Sequence, residues 1–361
     1  TIAPGAGIMH KTLSDQQMDA LAGSLAQYTP VDFIEEAPYN TIAATVYNTL
    51  SVGRFTWYVE GAYKSEDVLF DNYATRTLWT GQQSIGKFVL EPGFVAYTSL
   101  SYAGGGFGIS GQYKRTSNFR FRTDPFVGLN RGMINFLPPM SRINTYRLTA
   151  RYSPATQDLN EEAVQFDVRY AINKNLSVLV NISNINRPKE ENNHDIYSEV
   201  YTQFTLKKPR KWTLITGVQY QKYDQELYEG KPGAPKVIAI TPYLDYLVKL
   251  DQKKSLRTEL QYMSTDEDFG SWIYALEEFS ISPHWIFEAS DMWNISPKKS
   301  ADGSEKLKDL HFPTLGIVYS AGPTRYALRY VKQVEGIVCS GGICRLEPAF
   351  SGFKFNLTSN F

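Results

Sequence analysis

Apolar and polar residues alternate with a period of two from about residue 42 to the end of the chain, over segments of ten to fifteen residues. In "EAVQFDVRY" (162–170), apolar side chains fill the even positions from Val164 and polar ones the odd positions from Gln165. Successive side chains of a β-strand point to opposite faces, so the pattern predicts a strand with one apolar and one polar face. It recurs in "RFTWYVEGAYK" (54–64), "PKVIAITPYLDYLVKL" (235–250) and "SLRTELQY" (255–262).

The length of these segments separates two kinds of all-β protein. Strands of soluble sandwiches average about five or six residues, roughly half of what the pattern predicts here. Longer strands that are apolar on the outside and polar on the inside, with aromatic residues near their ends, are typical of transmembrane β-barrels. We therefore expect an all-β fold, a transmembrane antiparallel β-barrel of the outer membrane. Residues 42–361 form the barrel and residues 1–41 an N-terminal segment, with roughly 16–18 strands in this chain.

Short turns and long loops alternate between the predicted strands, as expected for the periplasmic and outer ends of such a barrel. Counted back from the C-terminus, the alternation fails near residue 155 unless "GMINFLPPM" (132–140) contains one more crossing. The count is then roughly seventeen strands from residue 42, whereas an antiparallel barrel closes with an even number. Either residues 1–41 supply a strand, around "PVDFIEE" (30–36), or strands are missing upstream. The predicted long loops are 65–86, 187–195, 227–235 and 296–310.

A helix is predicted within the N-terminal segment. "LSDQQMDALAGSLAQY" (13–28) has Ser14 as the N-cap and apolar residues at positions 18, 21 and 25. This helix could cap, plug or tether the barrel, and an ordinary surface helix explains the pattern equally well.

The chain closes on "GFKFNLTSNF" (352–361), where apolar residues again take alternate positions. The segment resembles the last strand of outer-membrane barrels as a class, which commonly ends in an aromatic residue. The resemblance implies that the barrel-insertion machinery recognises this strand. The proposed insertion signal consists of Phe353, Phe355, Leu357 and Phe361.

Composition narrows the classes further. The 37 basic and 37 acidic residues leave no net charge, so no nucleic-acid partner is implied. The 24 Tyr, 20 Phe and 6 Trp are a large aromatic content for a chain whose mean hydropathy is −0.33. No run approaches the roughly 18–20 apolar residues of a membrane-spanning helix. The start, "TIAPGAGIMHK", lacks the features of a secretory signal, so the chain is intracellular, already processed, or missing its front.

The two cysteines, Cys339 and Cys344, flank a Ser-Gly-Gly turn between two alternating segments. Facing each other across a hairpin, they suit a disulfide, which would imply an oxidising compartment. Two free thiols are the alternative, and the pair alone is too small for a zinc site.

The polar face carries the informative chemistry. Its mixed charges predict cross-strand ion pairs that fill or line a lumen, rather than a charge ring of one sign. The candidates are Arg54, Glu60, Asp167, Arg169, Asp245, Arg257, Glu259 and Arg329, with Gln165, Lys249, Arg325 and Glu335.

Catalytic and metal chemistry finds little support in the sequence. The four histidines are scattered without ligand spacing, and no cofactor is predicted. "NNHDI" places His194 beside Asp195 in a predicted outer loop, where a hydrolytic pair is one reading and two solvated side chains the more common one. "STDEDF" (264–269) gathers three acids that could hold Ca²⁺, although a solvated loop explains them better.

Four segments resemble the C-terminal part of a Bacteroidota outer-membrane protein family of unassigned function. The resemblance covers most of residues 54–361. Family members are typically longer at the N-terminus, which implies a missing front portion, and the resemblance supplies no catalytic residues. The four segments are "SLSYAGGGFGISGQYKR" (99–115), "DQKKSLRTELQYMSTDEDFGSW" (251–272), "ISPHWIFEASDMWN" (281–294) and, most specifically, "VCSGGICRLEPAFSGFKFNLTSNF" (338–361).

Three functions remain open at this stage. The first is a non-enzymatic subunit of an envelope transport, secretion or outer-membrane assembly complex. The second is a passive diffusion channel, since sixteen or more strands leave an aqueous lumen unless something plugs it. The third is a cell-surface hydrolase that uses outer-loop residues. Expected partners are outer-membrane lipid, the barrel-insertion machinery and other envelope proteins.

Overall fold

The computed structural model describes residues 1–34, 36–128, 131–188, 195–299, 303–340 and 343–360, with backbone only for 337–340 and 343–346. Sixteen antiparallel strands form one sheet, and each strand pairs with its neighbours in chain order. They are β1 (Ile2–Thr12), β2 (Asn40–Val52), β3 (Phe55–Thr77), β4 (Gln83–Gly104), β5 (Phe107–Ser117), β6 (Asn160–Asn173), β7 (Leu176–Asn186), β8 (Asp195–Lys208), β9 (Trp212–Tyr223), β10 (Val237–Lys249), β11 (Lys254–Met263), β12 (Trp272–Ile281), β13 (Trp285–Asn294), β14 (His311–Ala321), β15 (Thr324–Gln333) and β18 (Phe350–Ser359).

The connection between β15 and β18 carries a separate two-stranded hairpin, β16 (Gly336–Ser340) and β17 (Ile343–Glu347). Its register places the backbone of Cys339 opposite that of Cys344. The side chains of these two residues lie outside the described part of the chain, so the disulfide stays a prediction.

The sheet confirms the predicted all-β antiparallel fold, and its sixteen strands lie within the 16–18 predicted for the chain. From residue 40 onward the sheet contains fifteen strands, two fewer than the predicted seventeen, and residues 132–140, the predicted additional crossing, form no strand in the described structure. The sixteenth is β1, which lies at residues 2–12 rather than at the predicted 30–36. The periodicity of "PVDFIEE" resembles a strand over a few residues only, whereas β1 pairs with β2 along its whole length.

The sheet is barrel-like, with β1 and β18 at its two edges. Within the described residues these edge strands are not paired with each other. They run in opposite directions, since β1 leads into a long loop and β18 ends beside the short β14–β15 turn. Opposite directions are what antiparallel closure of a barrel requires.

The convex face of the sheet is apolar. On β18, Phe353, Phe355 and Leu357 are 73, 63 and 58 % exposed. Near the short turns, outward rings on adjacent strands contact one another, for example Phe55 with Tyr102 at 4.9 Å between centroids. The same end of the sheet continues this girdle with the pairs Tyr102–Phe107, Phe107–Tyr170, Trp285–Tyr319 and Tyr319–Tyr326.

Short turns connect the strands at one end of the sheet and long segments at the other, as predicted. The predicted loop 65–86 is wrong for most of its length. In this region β3 and β4 pair with each other and form a long hairpin. β3 no longer pairs with β2 beyond Lys64, and β4 pairs with β5 only from Phe94 onward. No helix among the described residues is long and apolar enough to span a membrane.

The predicted helix forms α1 (Asp15–Leu25), and Ser14 caps it in a capping box with Gln17. Leu21 and Leu25 are buried against the base of the β3–β4 hairpin, at Val68 and Phe88. A second helix, α2 (Gln225–Glu229), lies in the connection between β9 and β10. The α1 contacts place the N-terminal segment over the long-loop end of the sheet.

Candidate functional site: the inner loop and its cavity

The connection between β5 and β6, residues 118–159, is the inner loop. Lys64 on β3 donates a 2.9 Å hydrogen bond to the carbonyl of Arg120, near one end of this loop. Farther along, the amide of Leu148 donates 2.7 Å to the side chain of Gln261 on β11. Because β3 and β11 are eight strands apart in the sheet, the loop crosses the concave side. This concave side is the lumen.

Glu199 on β8 is a buried anchor for the inner loop. Its carboxylate accepts hydrogen bonds from Asn144 Nδ2 at 2.8 Å and from Gln219 Nε2 at 2.6 Å. Gln219 also donates to the carbonyl of Thr149 at 3.1 Å. Buried polar groups are stable only when they are hydrogen-bonded, so these strand side chains and the loop backbone depend on each other.

Three tyrosines form a second anchor. The ring of Tyr146 in the inner loop packs against the ring of Tyr243, with 4.6 Å between the two centroids. The Tyr243 hydroxyl donates a hydrogen bond to the hydroxyl of Tyr201. Gly217 makes this arrangement possible. A Cβ atom there would lie 1.9 Å from the carbonyl oxygen of Thr202 and 2.6 Å from the Tyr243 hydroxyl.

A charge cluster lies beside the tyrosines. Arg257 donates from Nε and Nη2 to both carboxylate oxygens of Asp245, at 3.0 and 2.9 Å, and also pairs with Glu259. Asp245 and Glu259 face each other directly across β10 and β11. The Tyr146 hydroxyl donates 3.3 Å to Asp245, which shows that this cluster faces the lumen. Arg257 thus compensates two closely placed acids.

Asp268 joins the far end of the inner loop to the β11–β12 connection. It is 7 % exposed, accepts a 3.0 Å hydrogen bond from the Tyr152 hydroxyl and lies 3.3 Å from Lys231. Arg151 lies 3.7 Å from Asp268 and stacks on Trp272 at 4.6 Å. Asp268 therefore belongs to a buried network, although the sequence favoured a solvated loop for 264–269. Among the described residues no group of three or more His, Cys, Asp or Glu is arranged to hold a metal ion.

The long-loop end of the lumen contains an apolar core. Leu148 and Tyr152 of the inner loop pack there with the fully buried Ile196, Tyr197 and Trp272 from the strands. Burial in this core raises the pKa of the Glu229 carboxyl on α2, although Lys231 beside it opposes the shift. The inner loop therefore fills part of the lumen as a protein core does.

The β3–β4 hairpin arches over this end of the lumen. The Tyr73 hydroxyl donates 3.3 Å to the carbonyl of Leu227 on α2, and the Arg187 guanidinium lies 4.4 Å from the Tyr73 ring. Leu227 lies in the connection between β9 and β10, and Arg187 lies in the connection between β7 and β8. Both connections are far from β3 in the order of the sheet. The hairpin consequently covers one side of the lumen mouth.

A cavity of about 1010 Å³ remains beside the inner loop. Residues 139–154 of the loop line one wall, and segments around β14, β15 and β18 line the other. Arg147 is exposed to this space on one side. Desolvation by the protein atoms on its other sides, together with the nearby Arg151, lowers the pKa of the Arg147 guanidinium, which stays charged in proteins.

The predicted lumen residues fall into three environments. Asp245, Arg257 and Glu259 come together in the charge cluster described above. Glu60 lies on the same face of the sheet and accepts from Tyr58 at 2.7 Å and Thr45 at 2.9 Å.

Toward the short-turn end the remaining candidates are less enclosed. Arg169 pairs with Asp167 on the same strand at 2.8 Å and has a 69 % exposed side chain. Arg329 reaches across Gly316 to pair with Glu288. Arg54 lies in the β2–β3 turn, outside any strand, where its side chain is exposed.

Two predicted residues, His194 and Phe361, lie outside the described part of the chain. Asp195, the neighbour of His194, forms a 2.8 Å ion pair with Lys222.

Sequence reasoning missed the inner loop as a whole, including the arginines of the cavity. The one available signal was the lack of a sustained period of two between residues 118 and 159.

Comparison with known proteins places the chain in a family. Residues 11–361 match the family of unknown function DUF6029, and the chain belongs to that family. No curated protein matches the sequence. A triple mutant of Rhodopseudomonas blastica porin is 8 % identical, with 100 % of both chains covered and a TM-score of 0.38. A variant of the same porin with five substitutions is also 8 % identical over 100 % of both chains, with a TM-score of 0.39.

Proposed function

We propose that this protein is a non-enzymatic channel of the outer membrane, whose lumen the inner loop constricts. The observation that carries the proposal is the contrast between the two faces of one sheet. The convex face is apolar and girdled by aromatic rings, whereas the concave face holds ion pairs and a charged cavity of about 1010 Å³. An apolar convex face is expected where the sheet contacts lipid, and a charged concave face is expected where it contacts water.

The height of the apolar face supports this placement. On β3, the outward residues Phe55 and Tyr63 are eight positions apart. At about 3.4 Å per residue this is roughly 27 Å along the strand, or roughly 21 Å of height at a strand tilt of about 40°, close to the ~25 Å apolar band of outer-membrane barrels.

Solute flux into liposomes tests the channel. Purified protein reconstituted into liposomes should permit swelling in glycine or a monosaccharide, and less in a trisaccharide, because the inner loop narrows the lumen. Empty liposomes are the control. Absence of swelling with protein that is folded and inserted would refute the proposal.

A second function, subunit of an envelope complex, is favoured by one surface. Asp32 ties residues 31–33 to the β3–β4 hairpin through Thr77 and Lys87. Around this junction the apolar side chains of Val31, Phe33, Trp79 and Ile85 are between 61 and 84 % exposed, beyond the part of the sheet that pairs with β2 and β5. Exposed apolar patches of this kind are common at protein interfaces.

Native mass spectrometry of the protein extracted from its own membrane tests the complex. A stoichiometric partner should be present with wild-type protein and lost from the Trp79→Ser/Ile85→Ser double variant. Val52→Ser, at the opposite end of the sheet, should retain the partner. A lone chain in every sample would refute this second function.

A further inference from the structure

We propose that the cavity beside the inner loop binds an organic anion, a carboxylate on an aromatic or aliphatic body, through the guanidinium groups of the loop. This inference deepens the proposed channel function by naming a solute class. It depends on that function only for the route by which the solute arrives.

The cavity wall has more basic than acidic side chains. Its lining has seven basic and four acidic side chains, and several of these form ion pairs that leave no charge for a ligand. Lys332 pairs with Asp309 at 3.1 Å, and Asp268 and Glu229 pair with Lys231 and Arg151. The charged lining residues are Arg142, Arg147, Arg151, Lys231, Lys306, Lys308 and Lys332 against Glu229, Asp268, Asp309 and Glu335.

Uncompensated cations remain after this pairing. Within the described residues Arg142, Arg147, Lys306 and Lys308 have no ion pair, and Glu335 is the corresponding acid without one. The Arg142 guanidinium lies over the ring of Tyr201, 4.2 Å from its centroid, and the Arg147 side chain is exposed beside the cavity. A carboxylate ligand would supply a charged acceptor for these guanidinium groups.

The inner loop presents Arg147 to the cavity. Its neighbours Tyr146 and Leu148 are both buried and fixed, through Asp245 and Gln261, to the strands. Arg147 is exposed between them and lines the cavity. Arg151 is four positions later, and the amide of Ala150 bonds the carbonyl of Tyr146 as in one helical turn. Arg151 is already paired with Asp268, so the Arg147 guanidinium is the one that this rigidly anchored segment offers to a carboxylate.

The rest of the lining identifies the body of the ligand. The cavity also contacts Phe269, Met292, Leu307, Phe312 and Phe350. An inorganic anion would leave these apolar side chains unused. A volume of about 1010 Å³ is at the upper end of the roughly 300–1,000 Å³ range of small-molecule sites. A ligand with an anionic group and an apolar body would contact both the basic and the apolar side chains of the wall.

Calorimetric titration of the purified full chain in detergent tests the inference, with 2-naphthoate as the anionic probe and 2-naphthalenemethanol as its neutral counterpart. Wild-type protein should bind naphthoate at least about tenfold more tightly than the alcohol, and Arg147→Gln should lose about tenfold in naphthoate affinity. Arg210→Gln, in the short β8–β9 turn, is the matched control and should bind as wild type. Lys308→Gln provides a second cavity variant, expected to weaken binding, should Arg147→Gln fail to fold.

Equal naphthoate binding by wild type and the folded cavity variants would overturn the inference, as would equal affinity for acid and alcohol. The two proposals fail separately. Charge-selective binding without liposome swelling would refute the channel and keep the site. Swelling with unselective binding would refute the site and keep the channel.

Discussion

At the scale of single residues, the lumen is built from charges and small residues that depend on their neighbours. Arg257 is the clearest case, because it holds Asp245 and Glu259 together although the two acids face each other across adjacent strands. Both acids are largely buried, at 9 and 5 % exposure. The stability of this region therefore rests on one guanidinium.

Arg257→Leu should lower the free energy of unfolding by about 2–3 kcal/mol, because it leaves two neighbouring acids without their cation. Arg169→Leu is the matched control, since Arg169 is mostly exposed and pairs only along its own strand. We expect its effect to stay within about 0.5 kcal/mol. Urea unfolding in detergent, followed by tryptophan fluorescence, measures both. Equal stability of the two variants would contradict the role given to Arg257.

Gly217→Ala should destabilise the protein by about 2 kcal/mol, because the added methyl group collides with the backbone of β8 and with Tyr243. Gly61→Ala is a strand control with no atom within 4 Å of the added group. Its expected effect is small and slightly stabilising, since alanine loses less backbone entropy than glycine on folding. The same unfolding assay applies, and tolerance of Gly217→Ala would show that the tyrosine cluster is loosely packed.

The sequence predicted some of these residues by their face but not by their partners. Alternation assigns Asp245 and Glu259 to the polar faces of their strands, because the period of two is a local property of a strand, and the register places the two residues opposite each other. It could not show that Tyr146 reaches Asp245, since that contact joins residues 99 positions apart. Arg54 shows a second limit of the pattern. The alternation of apolar and polar residues assigns Arg54 to the polar face of a strand, but Arg54 lies in the turn between β2 and β3.

At the scale of elements, the N-terminal segment and the inner loop both attach to the long-loop end of the sheet. Asp32 is a direct link between the N-terminal segment and the β3–β4 hairpin. It accepts from Lys87 Nζ at 2.6 Å and from the amide of Thr77 at 2.7 Å. These two hydrogen bonds hold the pKa of the Asp32 carboxyl below its usual value.

A lowered pKa in the folded state gives the link a defined pH dependence. The stabilisation is fully present above the unfolded pKa, about 3.9, and is lost as the pH falls through the lower folded value. The protection factors of residues 26–34 in hydrogen exchange, which correct for the pH dependence of the intrinsic exchange rate, should therefore be constant above about pH 5 and fall only below about pH 4. Asp32→Asn should exchange faster at neutral pH and show little of this pH dependence. Identical exchange in both proteins would contradict the link.

The elements also show which parts of the fold were predictable. The strands and α1 follow from local periodicity and capping, which is why α1 begins after Ser14 as expected. Strand parity predicts an additional crossing at residues 132–140, but this part of the chain belongs to the inner loop, which folds into the lumen. Its structure depends on Glu199, Gln261 and Asp268, which come from distant strands and loops.

At the scale of the whole molecule, we propose that lipid contacts the outside of the sheet and that solute passes along the inside. The inner loop then decides how wide the passage is, and Glu199 is one of the residues that holds the loop against the wall. Glu199→Ala removes the acceptor for Asn144 and Gln219 while leaving the Tyr152–Asp268 contact in place. Part of the loop should then move within the lumen.

Single-channel recording in planar bilayers is the most direct measurement of this claim. We predict discrete conductance steps from wild-type protein, and larger or noisier steps from Glu199→Ala because its constriction is loosened. Glu277→Ala, an exposed acid on β12 outside the anchor, should conduct as wild type. Folded, inserted wild-type protein that gives no steps, or a Glu199→Ala variant indistinguishable from Glu277→Ala, would contradict a channel constricted by the inner loop.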